Sequence, residues 1–142
     1  MTAIFADTFY WIALTDFSDS FHGRALALTA EHASVSLVTT DEVLTEYLNY
    51  FAGRPETIRR HAAASVLRII ESPTFRVFSQ SRASFLAGLE LYAARFDKGY
   101  SLTDCISMQT MRREGLIDAL TNDRHFEQEG FRALFRDVAK IG

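Results

Sequence analysis

The sequence predicts an α/β fold with a central, mostly parallel sheet of four to five strands and helices on both faces. Short apolar runs alternate along the chain with longer stretches of helical periodicity. No Pro/Gly-rich linker or internal repeat divides the 142 residues, so residues 1–142 are predicted to form one domain. Strands separated by helices pair in parallel and carry those helices on both faces.

The first half of the chain predicts two strands and four helices. The apolar run 3–6 is a strand, 9–14 a short helix and 19–32 a longer one, and 35–38 is a second strand. The segment Thr39-Thr40-Asp41-Glu42 is typical of a capping box and starts a helix through residue 51. Gly53 and Pro55 separate it from a helix over 55–71, with proline near its first turn.

The second half predicts three strands and two helices. Residues 75–78 form a strand, and a helix begins at Ser81 or Ser84 and runs to about residue 96, with apolar side chains at helical spacing. After the turn 97–99, a helix over 101–113 ends at Gly115. The runs 116–120 and 131–135 are the fourth and fifth strands.

Composition narrows the class of protein. With 48% hydrophobic and 23% charged residues, the chain is typical of a globular protein, and no apolar run reaches the roughly 18 residues of a membrane span. The opening MTAIFADTFYW has no basic segment and is not expected to be a signal peptide. The single Cys105 excludes an internal disulfide and a thiolate-rich zinc site, and agrees with a reducing cytoplasm. A net charge of −3 argues against nucleic-acid binding by bulk basicity.

Four acidic residues from separate stretches are candidates for a shared site. Asp7 ends the first strand and Asp123 follows the fourth, where parallel sheets bind ligands. Glu46 and Asp104 belong to helices that begin near the same rim. The four carboxylates are therefore predicted to converge.

Helical geometry supports the two helix positions. At 100° per residue, Asp104 falls within the apolar arc of its helix, whereas Ser107 and Thr110 occupy the polar side. Glu46 lies at the margin of the apolar face of its helix, a face that also includes Leu48 and Tyr50. An acid on an inward stripe needs a partner, because a buried unpaired carboxylate is unfavourable.

Each acid also has a purely structural explanation. Asp7 and Asp123 are suited to cap the helices that follow them, and Asp104 stands at capping-box spacing from Ser101. Glu46 is explained equally well as an amphipathic margin residue. Carboxylates about 6 Å apart, however, repel by about 3 kcal/mol per pair at an effective dielectric of 20, so a cluster of four requires cations or protonation.

Four motifs in order resemble the PIN domain family, which includes the VapC-type toxins. IFADTFYWIAL resembles its first strand and acid, and SLVTTDEVLTEYLNYF its second acidic motif. SLTDCISMQTMRREG is similar to the third motif, and IDALTNDRHFEQEGF to the fourth, with a T-x-D-x-x-F pattern. The matching acids are Asp7, Glu46, Asp104 and Asp123, and the resemblance covers residues 3 to 136.

The resemblance implies a three-layer α/β/α domain and metal-assisted hydrolysis of RNA. Mg²⁺ or Mn²⁺ is expected at the acids, in an all-oxygen site without His or Cys. Asp7 and Asp104 are expected to be the principal ligands. Glu46 and Asp123 would complete the shell, and Glu46 would also position the water that attacks the phosphodiester.

Further residues are expected to support such a site. Thr8 and Thr121 are candidate donors to the carboxylates. Arg112, Arg113 and Arg124 are candidate contacts to RNA phosphate, although arginines at helix ends are also commonly only solvated. His125 is a weak candidate, with the capping of a turn as its alternative role.

The expected partners are an RNA substrate, a small antitoxin protein and a second copy of the chain in a homodimer; no membrane is expected. One alternative is a non-catalytic PIN-like scaffold that binds RNA or protein, although no acid is missing. Another is an acidic-site α/β phosphatase, disfavoured because Asp7 is followed by Thr8-Phe9 where the pattern Asp-x-Asp-x-Thr would be expected. A receiver is disfavoured because Asp7 is unpaired and TNDRHF contains no lysine.

Overall fold

The protein is described here by a computed structural model that covers the backbone of residues 3–140 and the side chains of residues 3–137; the first two and last two residues of the predicted domain lie outside it. The elements, in chain order, are β1 (Ile4–Ala6), α1 (Thr8–Thr15), α2 (His22–Glu31), β2 (Leu37–Thr40), α3 (Asp41–Tyr50), α4 (Glu56–Glu71), β3 (Phe75–Phe78), α5 (Arg82–Ala94), α6 (Leu102–Glu114), β4 (Asp118–Leu120), α7 (Arg124–Gln128), β5 (Arg132–Ala133) and a final 3₁₀ helix (Leu134–Lys140).

The five described strands form one parallel sheet in the order β3-β2-β1-β4-β5. Phe5 pairs with Val38 on one side and with Ala119 on the other, so β1 lies at the centre. The chain first builds the sheet outward through β2 and β3, then returns to the other side of β1. The order of strands therefore reverses between β1 and β4, which is where such sheets bind ligands.

Because crossovers between parallel strands are right-handed and the strand order reverses after β3, the helices that follow β1 and β2 belong to one face and those that follow β3 and β4 to the other. The core between them is rich in rings, with Trp11, Tyr10 and Tyr47 almost fully buried. The three-layer α/β/α architecture expected from the sequence is confirmed.

Several element boundaries differ from those predicted. The strand predicted over 35–38 begins two residues later, at Leu37, because Val35 donates its backbone N–H to the carbonyl of His32 in a turn. The helix predicted from residue 19 begins at His22, because the Asp19 carboxylate accepts the backbone N–H of Phe21. The short helix α7 was not predicted as an element, and the fifth strand is limited to Arg132–Ala133.

Two assignments of helix faces were wrong. Ser107 and Thr110, placed on the polar side of their helix, are buried because α6 packs against both α5 and α3. Leu48 and Tyr50, placed on an apolar face, remain 37% and 45% exposed. Helical periodicity identifies one buried stripe and does not reveal a second neighbour on the opposite side.

Within residues 3–140, no helix combines the length and apolar character required to cross a membrane.

Candidate active site

Asp7 follows the central strand β1 directly and is buried, with 6% of its surface exposed. It occupies the N-cap position of α1, but its side chain makes no capping hydrogen bond. Its Oδ2 instead accepts a 2.8 Å hydrogen bond from the hydroxyl of Thr121, which follows β4. The carboxylate thus faces the rim between β1 and β4 rather than the end of its own helix.

Glu46 reaches the same rim from α3. Thr40, the last residue of β2, caps α3 by accepting the backbone N–H of Val43 at 3.1 Å. About one and a half turns of helix separate Thr40 from the half-buried Glu46, whose Oε1 accepts a hydrogen bond from the hydroxyl of Thr8. The two other acids of α3 lie elsewhere: Asp41 accepts the backbone N–H of Gln80, and Glu42 accepts the Ser84 hydroxyl hydrogen.

Asp104 lies in the first turn of α6 and both caps the helix and joins the acid cluster. Ser101 accepts the backbone N–H of Asp104 at 3.0 Å, and Asp104 Oδ2 accepts that of Ser101 at 3.4 Å. The capping explanation considered for this residue is therefore real. The capping hydrogen bond uses only Oδ2 of Asp104, and the Asp104 side chain is 14% exposed at the rim.

Asp123 and His125 lie where α7 begins. Asp123 Oδ1 accepts the backbone N–H of His125 at 2.9 Å, and the backbone N–H of Asp123 is donated to Thr121 at 3.1 Å. The Nδ1 atom of His125 lies 3.4 Å from Asp123 Oδ1 and 3.9 Å from Asp104 Oδ2. From the sequence we expected a site without histidine, but this ring stands beside two of its carboxylates.

The electrostatics indicate that the four acids share one environment. Burial, then the charges of Asp104 and Glu46, raise the pKa of Asp7 to about 7 against the opposing hydrogen bond from Thr121. Burial, then the charges of Asp123 and Glu46, raise the pKa of Asp104 to about 6. Each of the four predicted acids therefore interacts with at least one of the others.

The donor set suits a divalent cation. Crowded carboxylates at raised pKa are stabilised by a bound positive charge, and their oxygens are ligands that Mg²⁺ and Mn²⁺ accept. One oxygen each of Asp104 and Asp123, together with a His125 nitrogen, lie within 4.8 Å of one another, close enough to hold one ion. Asp7 and Glu46 adjoin this group.

The three candidate arginines differ in their availability. Arg112 lies 2.6 Å from Glu129 and stacks over Phe131, and Arg113 pairs with Glu114 at 3.1 Å. Arg124, the residue after Asp123, is exposed and forms no ion pair with the described residues. It is the arginine of the three placed best to meet a phosphate at the rim.

One polar cluster behind the rim was not predicted. The side chain of Glu129, only 5% exposed, lies 2.5 Å from Arg95 and 2.6 Å from Arg112, and it accepts the Tyr100 hydroxyl hydrogen at 3.3 Å. Burial acts to raise the pKa of Glu129, but the two guanidinium groups outweigh it and hold that pKa below its usual range. The three partners lie 17 to 34 positions from Glu129 in the sequence, so no local pattern signals the cluster.

Comparison with known proteins agrees with this geometry. The model of the PIN domain family matches residues 4–131. The 23S rRNA-specific endonuclease VapC20 of Mycobacterium tuberculosis, from strains CDC 1551 and H37Rv, is 31% identical over 131 residues, which are 90% of this chain and 95% of that protein.

A solved structure leads to the same family. The crystal structure of M. tuberculosis VapC20, described as a sarcin-ricin loop cleaving toxin, superposes with a TM-score of 0.81 at 29% identity, covering 91% of this chain and 96% of that one. These matches confirm the family and the nuclease function expected from the sequence. The chain belongs to the PIN domain family.

Proposed function

We propose that this protein is a divalent-cation-dependent endoribonuclease that hydrolyses phosphodiester bonds of RNA, with residues 1–142 acting as one nuclease domain. The observation that supports this most strongly is the meeting of four carboxylates from four separate stretches at the β1/β4 rim. Burial, then the charges of neighbouring acids, raise the pKa values of Asp7 and Asp104, as expected of groups that share a cation.

Asp7, Glu46, Asp104 and Asp123 would hold Mg²⁺ or Mn²⁺, with Asp7 and Asp104 as the principal ligands. When bound, the cation supplies a water of lowered pKa and offsets the negative charge that develops on the phosphate. Thr121 keeps Asp7 turned to the rim, and Thr8 does the same for Glu46. Thr8 occupies Oε1 of Glu46, which leaves Oε2 to orient the attacking water.

The proposed substrate class, RNA, is supported by the similarity to VapC20 and by an exposed arginine at the rim. VapC20 is named as a 23S rRNA-specific endonuclease, so 23S rRNA is the first RNA to test with this protein. The exposed Arg124 beside Asp123 is suited to meet a substrate phosphate. Water attacks phosphorus, the P–O bond to the neighbouring nucleotide breaks, and the leaving oxygen takes up a proton.

We extend the proposal to the expected partners. A small antitoxin protein would inhibit the enzyme, two copies of the chain would form a homodimer, and the cytoplasm would be the site of action. These assignments rest on the relationship to the VapC toxins and are testable by co-purification with the product of a neighbouring gene and by the mass of the purified protein in solution.

The decisive experiment compares the wild type with Asp104→Asn on 23S rRNA and on an isolated sarcin-ricin loop oligonucleotide. The side-chain oxygen of asparagine can still accept the backbone N–H of Ser101, as Asp104 does, so the fold should be preserved. We expect the wild type to cleave RNA with Mn²⁺ and not after EDTA treatment. The cleavage rate of Asp104→Asn should be lower by about 100-fold or more, while its circular dichroism spectrum is unchanged. Asp118→Asn, which alters an acid of β4 paired with Arg132, should cleave normally.

Four results would contradict the proposal. Cleavage that survives EDTA, or that Asp104→Asn retains, would exclude a cation held by these acids. RNA binding without cleavage under any divalent cation would favour the non-catalytic scaffold. Hydrolysis of a simple phosphomonoester without action on RNA would favour the phosphatase.

A further inference from the structure

His125 has an unusual position relative to the acid cluster. Its Nδ1 atom is shielded from solvent but has no hydrogen-bond partner among the described residues, although carboxylate oxygens lie 3.4 Å and 3.9 Å away. A buried polar nitrogen without a partner costs about 1–3 kcal/mol, so native proteins rarely leave one without a function or a missing ligand.

The orientation of the ring is fixed by its surroundings. The backbone N–H of His125 is bonded to Asp123 Oδ1, and the ring of Tyr100 lies against the imidazole with centroids 5.1 Å apart. The Tyr100 hydroxyl in turn donates to Glu129, which Arg95 and Arg112 hold in place. Nδ1 is thereby directed toward Asp104 and Asp123.

The spacing of the three donor atoms suits one ion. Two atoms that each lie about 2.1 Å from one ion can be at most about 4.2 Å apart. The distances of 3.4 Å and 3.9 Å from His125 Nδ1 to the two carboxylate oxygens are within this limit. A His125 nitrogen and one oxygen each of Asp104 and Asp123 all lie within 4.8 Å of one another.

We propose that His125 Nδ1 is a nitrogen ligand beside Asp104 and Asp123, and that it biases the site toward first-row transition ions over Mg²⁺. The inference rests on the proposed function, since it concerns the cation of the same site. Imidazole favours ions such as Fe²⁺ and Co²⁺, whereas Mg²⁺ prefers carboxylate and water oxygens and gains little from a nitrogen donor.

The test measures metal binding without RNA. Calorimetric titration with Co²⁺ and with Mg²⁺ is carried out on the wild type, His125→Ala and His125→Asn. We expect the variants to lose about tenfold or more in Co²⁺ affinity, with much less change for Mg²⁺. His32→Ala is the matched control, because His32 Nδ1 already bonds the carbonyl of Leu28 at 3.0 Å, away from the acids.

Pulsed electron paramagnetic resonance of the Mn²⁺-loaded protein provides a direct readout. Coupling to a histidine ¹⁴N nucleus is expected in the wild type and in His32→Ala, and is expected to disappear in both His125 variants. Absence of nitrogen coupling in the wild type, or an equal loss of Co²⁺ and Mg²⁺ affinity in the variants, would overturn the inference.

The outcomes separate this inference from the proposed function. If the wild type binds divalent ions, and Asp104→Asn abolishes binding but no nitrogen couples, the acid site stands and His125 is not a ligand. If the wild type binds no divalent ion, both proposals fail together. His125→Asn serves where His125→Ala fails to fold, because it retains a polar side chain of similar reach.

Discussion

The hydroxyl of Thr121 donates a 2.8 Å hydrogen bond to Asp7 Oδ2 and also accepts the backbone N–H of Asp123 at 3.1 Å. One buried side chain thus links the acid that follows β1 to the acid that follows β4. Asp7 and Thr121 are 114 positions apart in the sequence and are brought together by the pairing of β1 with β4. The relative placement of the two acids depends on this link.

Thr121→Val should weaken cation binding while preserving the fold. Valine has nearly the same shape but offers no hydroxyl, so Asp7 loses its donor and the backbone N–H of Asp123 loses its acceptor. We expect Mn²⁺ affinity to fall about 10- to 100-fold in calorimetric titration. Thr110→Val is the control, because Thr110 is equally buried but bonds only the carbonyl of Ile106. A similar loss in both variants would contradict the prediction.

The stability of the metal-free protein should depend on the charge state of Asp7. Its pKa rises from 3.8 to about 7 on folding, so the folded state binds the proton more tightly than the unfolded state. The stabilisation is therefore complete below about pH 4 and is lost as the pH rises through 7. Asp104, with a pKa near 6, acts in the same direction.

Urea unfolding in EDTA at pH 5 and pH 8 measures this effect. Asp7→Asn should be more stable than the wild type at pH 8, by an amount on the order of a few kcal/mol, and the difference should shrink at pH 5. Saturating Mn²⁺ should stabilise the wild type and not the variant. A variant less stable than the wild type at pH 8 would show that the carboxylate is not destabilised by its surroundings.

Glu129→Gln should destabilise the protein, because it leaves Arg95 and Arg112 without the carboxylate that both contact. The expected loss in free energy of unfolding is about 2 to 3 kcal/mol, less than for a fully buried pair, since the guanidinium groups are partly exposed. Glu56→Gln removes an exposed pair with Arg60 and should change stability by about 0.5 kcal/mol or less. Equal effects of the two variants in thermal unfolding would refute the prediction.

Gly88 allows α5 to pack closely on α6, the helix that carries Asp104. A Cβ atom at this position would collide with the side chain of Ile106 and lie 3.2 Å from its backbone nitrogen. Gly88→Ala is therefore expected to cost about 1–3 kcal/mol in urea unfolding. Gly23→Ala, in helix α2 with nothing within 4 Å, should instead stabilise the protein by up to about 1 kcal/mol. A neutral Gly88→Ala would mean that the two helices separate easily.

Arg124→Ala should weaken RNA binding without altering cation affinity. Loss of one phosphate contact is expected to reduce the slope of log affinity against log salt by about 0.7 to 1. Arg60→Ala, on α4 and already paired with Glu56, should leave the slope unchanged. Each arginine substitution is combined with the inactivating Asp104→Asn, and fluorescence anisotropy of a labelled RNA measures the RNA affinity and its salt slope. An unchanged slope in Arg124→Ala would exclude the contact.

The sequence by itself determined the class of fold and most of its elements. The periodicity of α5 and α6, the capping residues Ser81 and Ser101, and the apolar run of β1 are local signals, and the structure contains each of them. The four acids were also identifiable, because two follow strand ends and Asp104 lies on an inward helix stripe. Such signals come from neighbours within a few positions of the chain.

Only the tertiary structure decided how these pieces meet. The order of strands places Asp7 beside Asp123, the packing of α6 between neighbours buries Ser107 and Thr110, and the Glu129 cluster joins residues from distant segments. The orientation of His125 toward the acids likewise arises from Tyr100 and from a helix of five residues. These features depend on contacts between residues far apart in sequence, and local propensity carries no information about them.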